Sequence, residues 1–254
     1  MPTLSSQSIK LINDYLHIPI GNVFVNCPYY NNRRAGMRAG LRVLIGKGSV
    51  DDIVEEAMLI ALREKIDLKK LDAEDLKKFL VDHHLGIDCS GLVYHVLDTE
   101  LKAHGLRSLN KYLKFPFIKN PFRKLLTILR PVESAGVRTI CHEQNCVPVN
   151  EISKIQPGDL VAIIGGGEKQ DRNHVLIVHE VTNVGDEVVI HYTHSMQWLG
   201  DGEYNHGVRQ SEIQITDKNK GLLDQIWFEP EALTYARKAK EVKVWRLRQL
   251  SQSL

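Results

Sequence analysis

A chain of 254 residues with 43 % apolar and 25 % charged side chains has the composition of an ordinary folded protein, which excludes a collagen-like, coiled-coil or disordered chain. Thirty-three Lys and Arg against thirty-one Asp and Glu leave a net charge of +2, too small by itself to indicate nucleic acid or an anionic membrane as partner. The four cysteines, Cys27, Cys89, Cys141 and Cys146, include no Cys-x-x-Cys pair and are too few for a disulfide framework.

The first residues lack a basic start followed by an apolar run, and no later stretch approaches the roughly 18 apolar residues of a membrane span. A cytoplasmic chain is therefore expected, or a secreted one if a signal has been trimmed. Ile9, Leu11, Ile12, Tyr15 and Leu16 recur at helical spacing and predict a short helix over 6–18. Between 50 and 80 the apolar positions fit two helices, the first capped by Ser49 or Asp51 and the second by Asp72. A further helix begins at Cys89, directly after the turn-like Leu85-Gly86-Ile87-Asp88.

The region 102–130 is basic, with Lys111, Lys114, Lys119, Arg123, Lys124 and Arg130 set among aromatic and apolar residues. Loops and one short helix around 122–129 are expected there; a solvated amphipathic insertion is preferred over a surface that meets polyanions. After Pro157-Gly158-Asp159 the pattern changes to strands over 160–164, 174–181, 188–195, 208–215 and 242–247. Helices first and an antiparallel sheet second define an α+β class. Gly165-Gly166-Gly167 is not followed by Gly-Lys-Ser/Thr, so it reads as a turn and not as a P-loop.

Cys89 stands where a helix starts, and unpaired N–H groups there favour a thiolate. Asp88 before it and Ser90-Gly91 after it leave room for a substrate carbonyl and an oxyanion site, which makes Asp88 and Ser90 candidate substrate-binding residues. A buried structural cysteine is the competing reading.

Asp88-Cys89-Ser90-Gly91-Leu92-Val93 resembles the motif of the NlpC-type papain-like cysteine peptidases, many of which cut cell-wall peptides. Pro157-Gly158-Asp159-Leu160-Val161, then His174-Val175, then the strand over 188–195 follow in that family's order. The resemblance implies a papain-like core with Cys89 as nucleophile, His174 as base and a polar residue on the next strand as orienter. That third residue is His194 or His191. A hairpin loop over 182–187, centred between 184 and 185, sets residue 174 opposite 195 to within about one place and so favours His194. Pro28-Tyr29 resembles a pair that precedes the nucleophile in the family, yet 60 residues separate Tyr29 from Cys89 here, much more than is usual. Tyr29 is a candidate site residue, with Tyr30 its alternative.

The resemblance thus implies a hydrolase of an amide bond, in the first place a γ-D-glutamyl bond of peptidoglycan or muropeptides, working without metal or organic cofactor and without nucleic acid. Another papain-like amidase, deamidase or acyl transferase is the alternative within the enzymes, and a non-catalytic binding module the alternative outside them. Zinc at Cys141-His142 and Cys146, joined by Cys27, is disfavoured because no second close pair accompanies the five-residue step. Trp198 with Gly200, Asp201 and Gly202 reads as a surface turn anchored by one buried aromatic, in preference to a substrate-lining loop. A single domain is expected, with 1–84 as helical extension and insertion and 85–254 as the catalytic core.

Overall fold

The computed structural model describes residues 2–31, 42–184 and 187–251. Eight α-helices and seven strands occur among them: α1 (Ser6–Leu16), α2 (Val50–Glu64), α3 (Ala73–Asp82), α4 (Cys89–Ala103), α5 (Pro121–Leu129), α6 (Pro131–Ser134), α7 (Val137–Ile140) and α8 (Pro230–Arg237). The strands are β1 (Cys146–Pro148), β2 (Leu160–Gly166), β3 (Arg172–Val184), β4 (Glu187–Met196), β5 (Gly207–Ile215), β6 (Ile226–Trp227) and β7 (Glu241–Leu247). They form one antiparallel sheet in the order β1-β7-β2-β3-β4-β5-β6, an α+β arrangement.

Local chemistry accounts for the helix starts. Ser49 closes a capping box on α2, its hydroxyl accepting from Asp52 N at 3.1 Å while its own N–H donates to Asp52 Oδ2 at 2.8 Å. Asp72 caps α3 through Asp75 N, and Asp88 caps α4 through Gly91 N. Gly46 has a φ of 74°, and a Cβ on it would lie 2.1 Å from the Tyr30 carbonyl oxygen, so this turn before Lys47 requires glycine.

Side-chain alternation divides the sheet into two faces. Ala162, Val175 and Ile177 pack with the helices before them, in one cluster that also takes in Leu4, Ile12, Ile53, Leu76, Leu92 and Leu97. The described residues among 1–84 are thus joined to the rest by a shared core. Ile163, Leu176, Ile190 and Tyr192 face the other way, onto Ala232 and Ala236 of α8.

The hairpin differs from the expected loop. Strand β3 continues to Val184 and β4 resumes at Glu187, with Val184 paired to Glu187, so Thr182 and Asn183 are strand residues; Gly185 and Asp186 lie outside the described residues. The register also shifts between Val178 and Glu180, which sets Ile177 opposite Thr193. No helix of the described residues is long and apolar enough to cross a membrane.

Candidate active site

Cys89 is the first residue of α4 and buried, and the backbone N–H groups of Val175 and Ser90 are near enough to its sulfur to ease its ionisation. Strand β4 reaches the same helix end, where Ser195 Oγ donates to the Ile87 carbonyl at 2.7 Å. The helix start is therefore held between the two strands that bear His174 and His194, at the position following each histidine.

The close fit has identifiable causes. Asp88 Oδ1 accepts from Lys47 Nζ at 2.8 Å, from Ser90 Oγ at 3.0 Å and from Gly91 N at 2.7 Å. Lys47, buried, donates also to Ser90 Oγ at 2.5 Å and to the Ala135 carbonyl at 3.0 Å. A Cβ on Gly91 would lie 2.7 Å from the Gly46 carbonyl oxygen, so the glycine of the motif lets the Gly46-Lys47 backbone come close. The side chains of Asp88 and Ser90 thus serve the cap and the Lys47 ion pair. Asp159 of the Pro-Gly-Asp motif is likewise structural here, clamped by Arg246 at 2.7 and 2.9 Å.

His174 and His194 meet. His174 Nε2 lies 2.8 Å from His194 Nδ1, both rings buried. His194 Nε2 is 2.8 Å from Glu229 Oε2, a contact poorly aligned for a linear hydrogen bond that becomes an ion pair when His194 is protonated. Glu229 is also held by Trp198 Nε1 at 2.6 Å and Tyr192 OH at 3.0 Å. Burial pushes the Glu229 carboxyl up, but the bonds and charge from His194, with Trp198 and Tyr192, outweigh it and hold the group down at about 2. His174 packs edge-on against Trp198 and Tyr235, ring centroids 6.0 and 6.1 Å away, so both histidines sit with the α8-side layer while Val175 faces α4.

Burial pushes the Cys89 thiol up to about 12, and the Asp88 charge adds to this; Lys47 and the N–H groups of Val175 and Ser90 offset only part. The resting group is a thiol. Tyr29, Lys47, Asp88, Cys89, Ser90 and Arg172 line one cavity of about 540 Å³. Tyr29 is bridged to Ile87 and its N–H donates to His206 Nδ1 at 3.1 Å, whereas Tyr30 stacks on His84 outside that lining.

His191 lies elsewhere, bonded to Thr182 Oγ1 at 2.9 Å and to Glu212 Oε1 at 3.1 Å. Trp198 is buried over the two histidines while Leu199 beside it is fully exposed, a turn anchored by one aromatic. Cys141 and Cys146 are free thiols, and Cys146 Sγ donates to the Ile140 carbonyl. Two residues of the site escape sequence reasoning: Glu229, which merely precedes Pro230, and Lys47, one cation among thirty-three. Neither stands in a motif.

Comparison with protein-family models, with curated proteins and with solved structures finds no match.

Proposed function

We propose that the protein is a papain-like cysteine hydrolase that cleaves an amide bond, with Cys89 as nucleophile and His174 as base. The observation that carries this reading is the buried chain from Glu229 through His194 to His174, which ends on the residue before the Val175 N–H that lies near the Cys89 sulfur. Such a chain has the form of an orienter behind a base. His194 fixes the tautomer and ring plane of His174, and Glu229 stabilises the positive charge that the pair acquires once a proton arrives.

Because the thiol is held at about 12, the ion pair is not preformed. Substrate entering the cavity displaces water, and the His174 ring, which rests on the α8 side of the sheet, has to turn toward the α4 side for its Nδ1 to take the Cys89 proton as sulfur adds to the carbonyl carbon. N–H groups at the start of α4 receive the oxyanion. The imidazolium then protonates the leaving amine, the C–N bond breaks, and water releases the acyl group from sulfur with His174 again as base.

The substrate class rests on the family resemblance alone: the cavity lining sets Lys47 and Arg172 beside Asp88, Glu133 and Asp171, and the Lys47 ammonium is already taken up by Asp88, Ser90 and the Ala135 carbonyl. Purified protein incubated with muropeptides, and separately with ordinary peptides and simple amides, tests this. Cleavage of γ-D-glutamyl bonds that disappears in Cys89→Ala, with the melting temperature unchanged, is the expected result; turnover at the parental rate in Cys89→Ala overturns the assignment.

A non-catalytic member of the same fold is favoured by a different observation. His174 packs in the α8-side layer and Cys89 in the α4-side layer, and the thiol is strongly disfavoured as an anion. Muropeptide binding with no cleavage by the intact protein would select this reading.

A further inference from the structure

Helix α5 (Pro121–Leu129) is inverted relative to an ordinary surface helix. Asn120 caps it through Phe122 N and Arg123 N, and Pro121 occupies its first turn, so it starts on local chemistry. Its one buried residue is Thr127; Phe122 is 79 % exposed, Ile128 72 %, and Leu125, Leu126 and Leu129 are exposed with them. At 100° per residue these five side chains fill one contiguous arc, with Arg123 and Lys124 at its two borders. Phe117, also exposed, extends the apolar surface before the helix.

Within its own segment the charge around this surface has one sign. Residues 102–130 hold eight Lys and Arg and no Asp or Glu. Among the described residues Lys119, Arg123 and Lys124 join no ion pair. At the C-terminal end of α5, Leu129 and Leu59 share a recess with Asp52, Glu55 and Glu56, which leaves the Phe117 to Lys124 end as the cationic one.

We propose that α5 is an interfacial anchor that lays its apolar arc into the surface of an anionic lipid bilayer. The rest follows from what each occupant would have to match. A nucleic acid would satisfy the cations but leave five large apolar side chains without a partner. A second copy would satisfy the apolar arc, but a contact of α5 with α5 would bring together two 102–130 segments that each carry eight cations and no carboxylate. A bilayer with acidic headgroups meets both: the aliphatic and aromatic groups enter the region between headgroups and acyl chains, and the basic side chains at the borders reach up to phosphate and carboxylate. The anchor is independent of the chemistry proposed for Cys89.

Sedimentation of the full chain with phosphatidylcholine vesicles, and with vesicles that also contain phosphatidylserine, tests the proposal. The protein should bind the serine-containing vesicles and release them as salt is raised. Phe122→Ser with Leu126→Ser should weaken binding by about tenfold or more, because two buried apolar groups are lost. Arg123→Gln with Lys124→Gln should remove about thirtyfold of the preference for anionic over neutral vesicles. These side chains are exposed, so the variants should keep the parental melting temperature. A Phe122→Trp variant should show a blue-shifted emission that is quenched by brominated acyl chains. Failure to bind either vesicle, or binding indifferent to both double variants, overturns the proposal. So does a concentration-dependent dimer that Phe122→Ser with Leu126→Ser converts to monomer, or binding of an oligonucleotide through Arg123 and Lys124 in place of vesicles.

Discussion

Helices α4 and α5 start in the same way and end in opposite environments. Each has an acceptor side chain at its cap, Asp88 for one and Asn120 for the other, bonded to N–H groups of the first turn. Ten of the fifteen residues of α4 are buried, whereas α5 buries Thr127 and turns its leucines outward. Capping therefore decides where a helix begins and says nothing of which face the protein covers. The face that the fold covers contributes to stability, and the face it leaves open is available for a partner.

Three substitutions would break or sharpen that contrast. Leu97→Ala in α4 removes a fully buried side chain, and a loss of roughly 2–5 kcal/mol in a urea titration is expected. Glu229→Gln, at the far end of the histidine chain, is expected to cost about 3 kcal/mol where a protonated His194 faces the carboxylate. The Glu229 carboxyl has a folded value of about 2 against an ordinary 4.5, so its contribution is complete above the higher value and vanishes as pH falls through the lower. The stability gap between parent and variant should accordingly close between pH 4.5 and 2, and a gap constant over that range would contradict the charge contact with His194. The smallest effect belongs to Leu126→Ala in α5, which exchanges one exposed helix former for another and should change stability by less than about 0.5 kcal/mol. A cost as large as that of Leu97→Ala would mean that the outward face of α5 is covered in solution.

What the sequence discloses of this molecule is what is local. Ser49, Asp72 and Asp88 are legible as caps because each acts within three residues of itself. Five of the seven strands are legible from β-branched runs, whereas the short β1 and β6 are not, β2 runs on into Gly165 and Gly166 of the expected turn, and β3 and β4 exceed their expected lengths because Thr182 and Asn183 find partners across the hairpin at Val189 and Val188. Glu229 is illegible: it stands 35 residues from His194, and nothing near it in the chain announces the contact. Lys47 is brought to Asp88 by an isolated bridge to Ile87, again a pairing without local signal. Periodicity identifies α5 as amphipathic but is silent on which side faces out, since a helix gives the same pattern whether its apolar arc meets the core or a lipid surface.

The central claim is that His174 makes Cys89 a nucleophile, and the other three cysteines supply the internal control. Cys27, Cys89 and Cys146 are all pushed up to about 12 by burial, and Cys141 is pushed up as well, so resting acidity does not distinguish among them. Cys89 lines the cavity and lies beside the strand position of His174. The direct measurement is the rate of covalent modification by a γ-glutamyl peptide carrying a vinyl sulfone, followed by mass mapping of the adduct, in the parent and in His174→Ala. The account predicts one adduct, on Cys89, forming at a rate that largely disappears without His174; an unchanged rate in His174→Ala, or adducts spread over Cys27, Cys141 and Cys146, would contradict it.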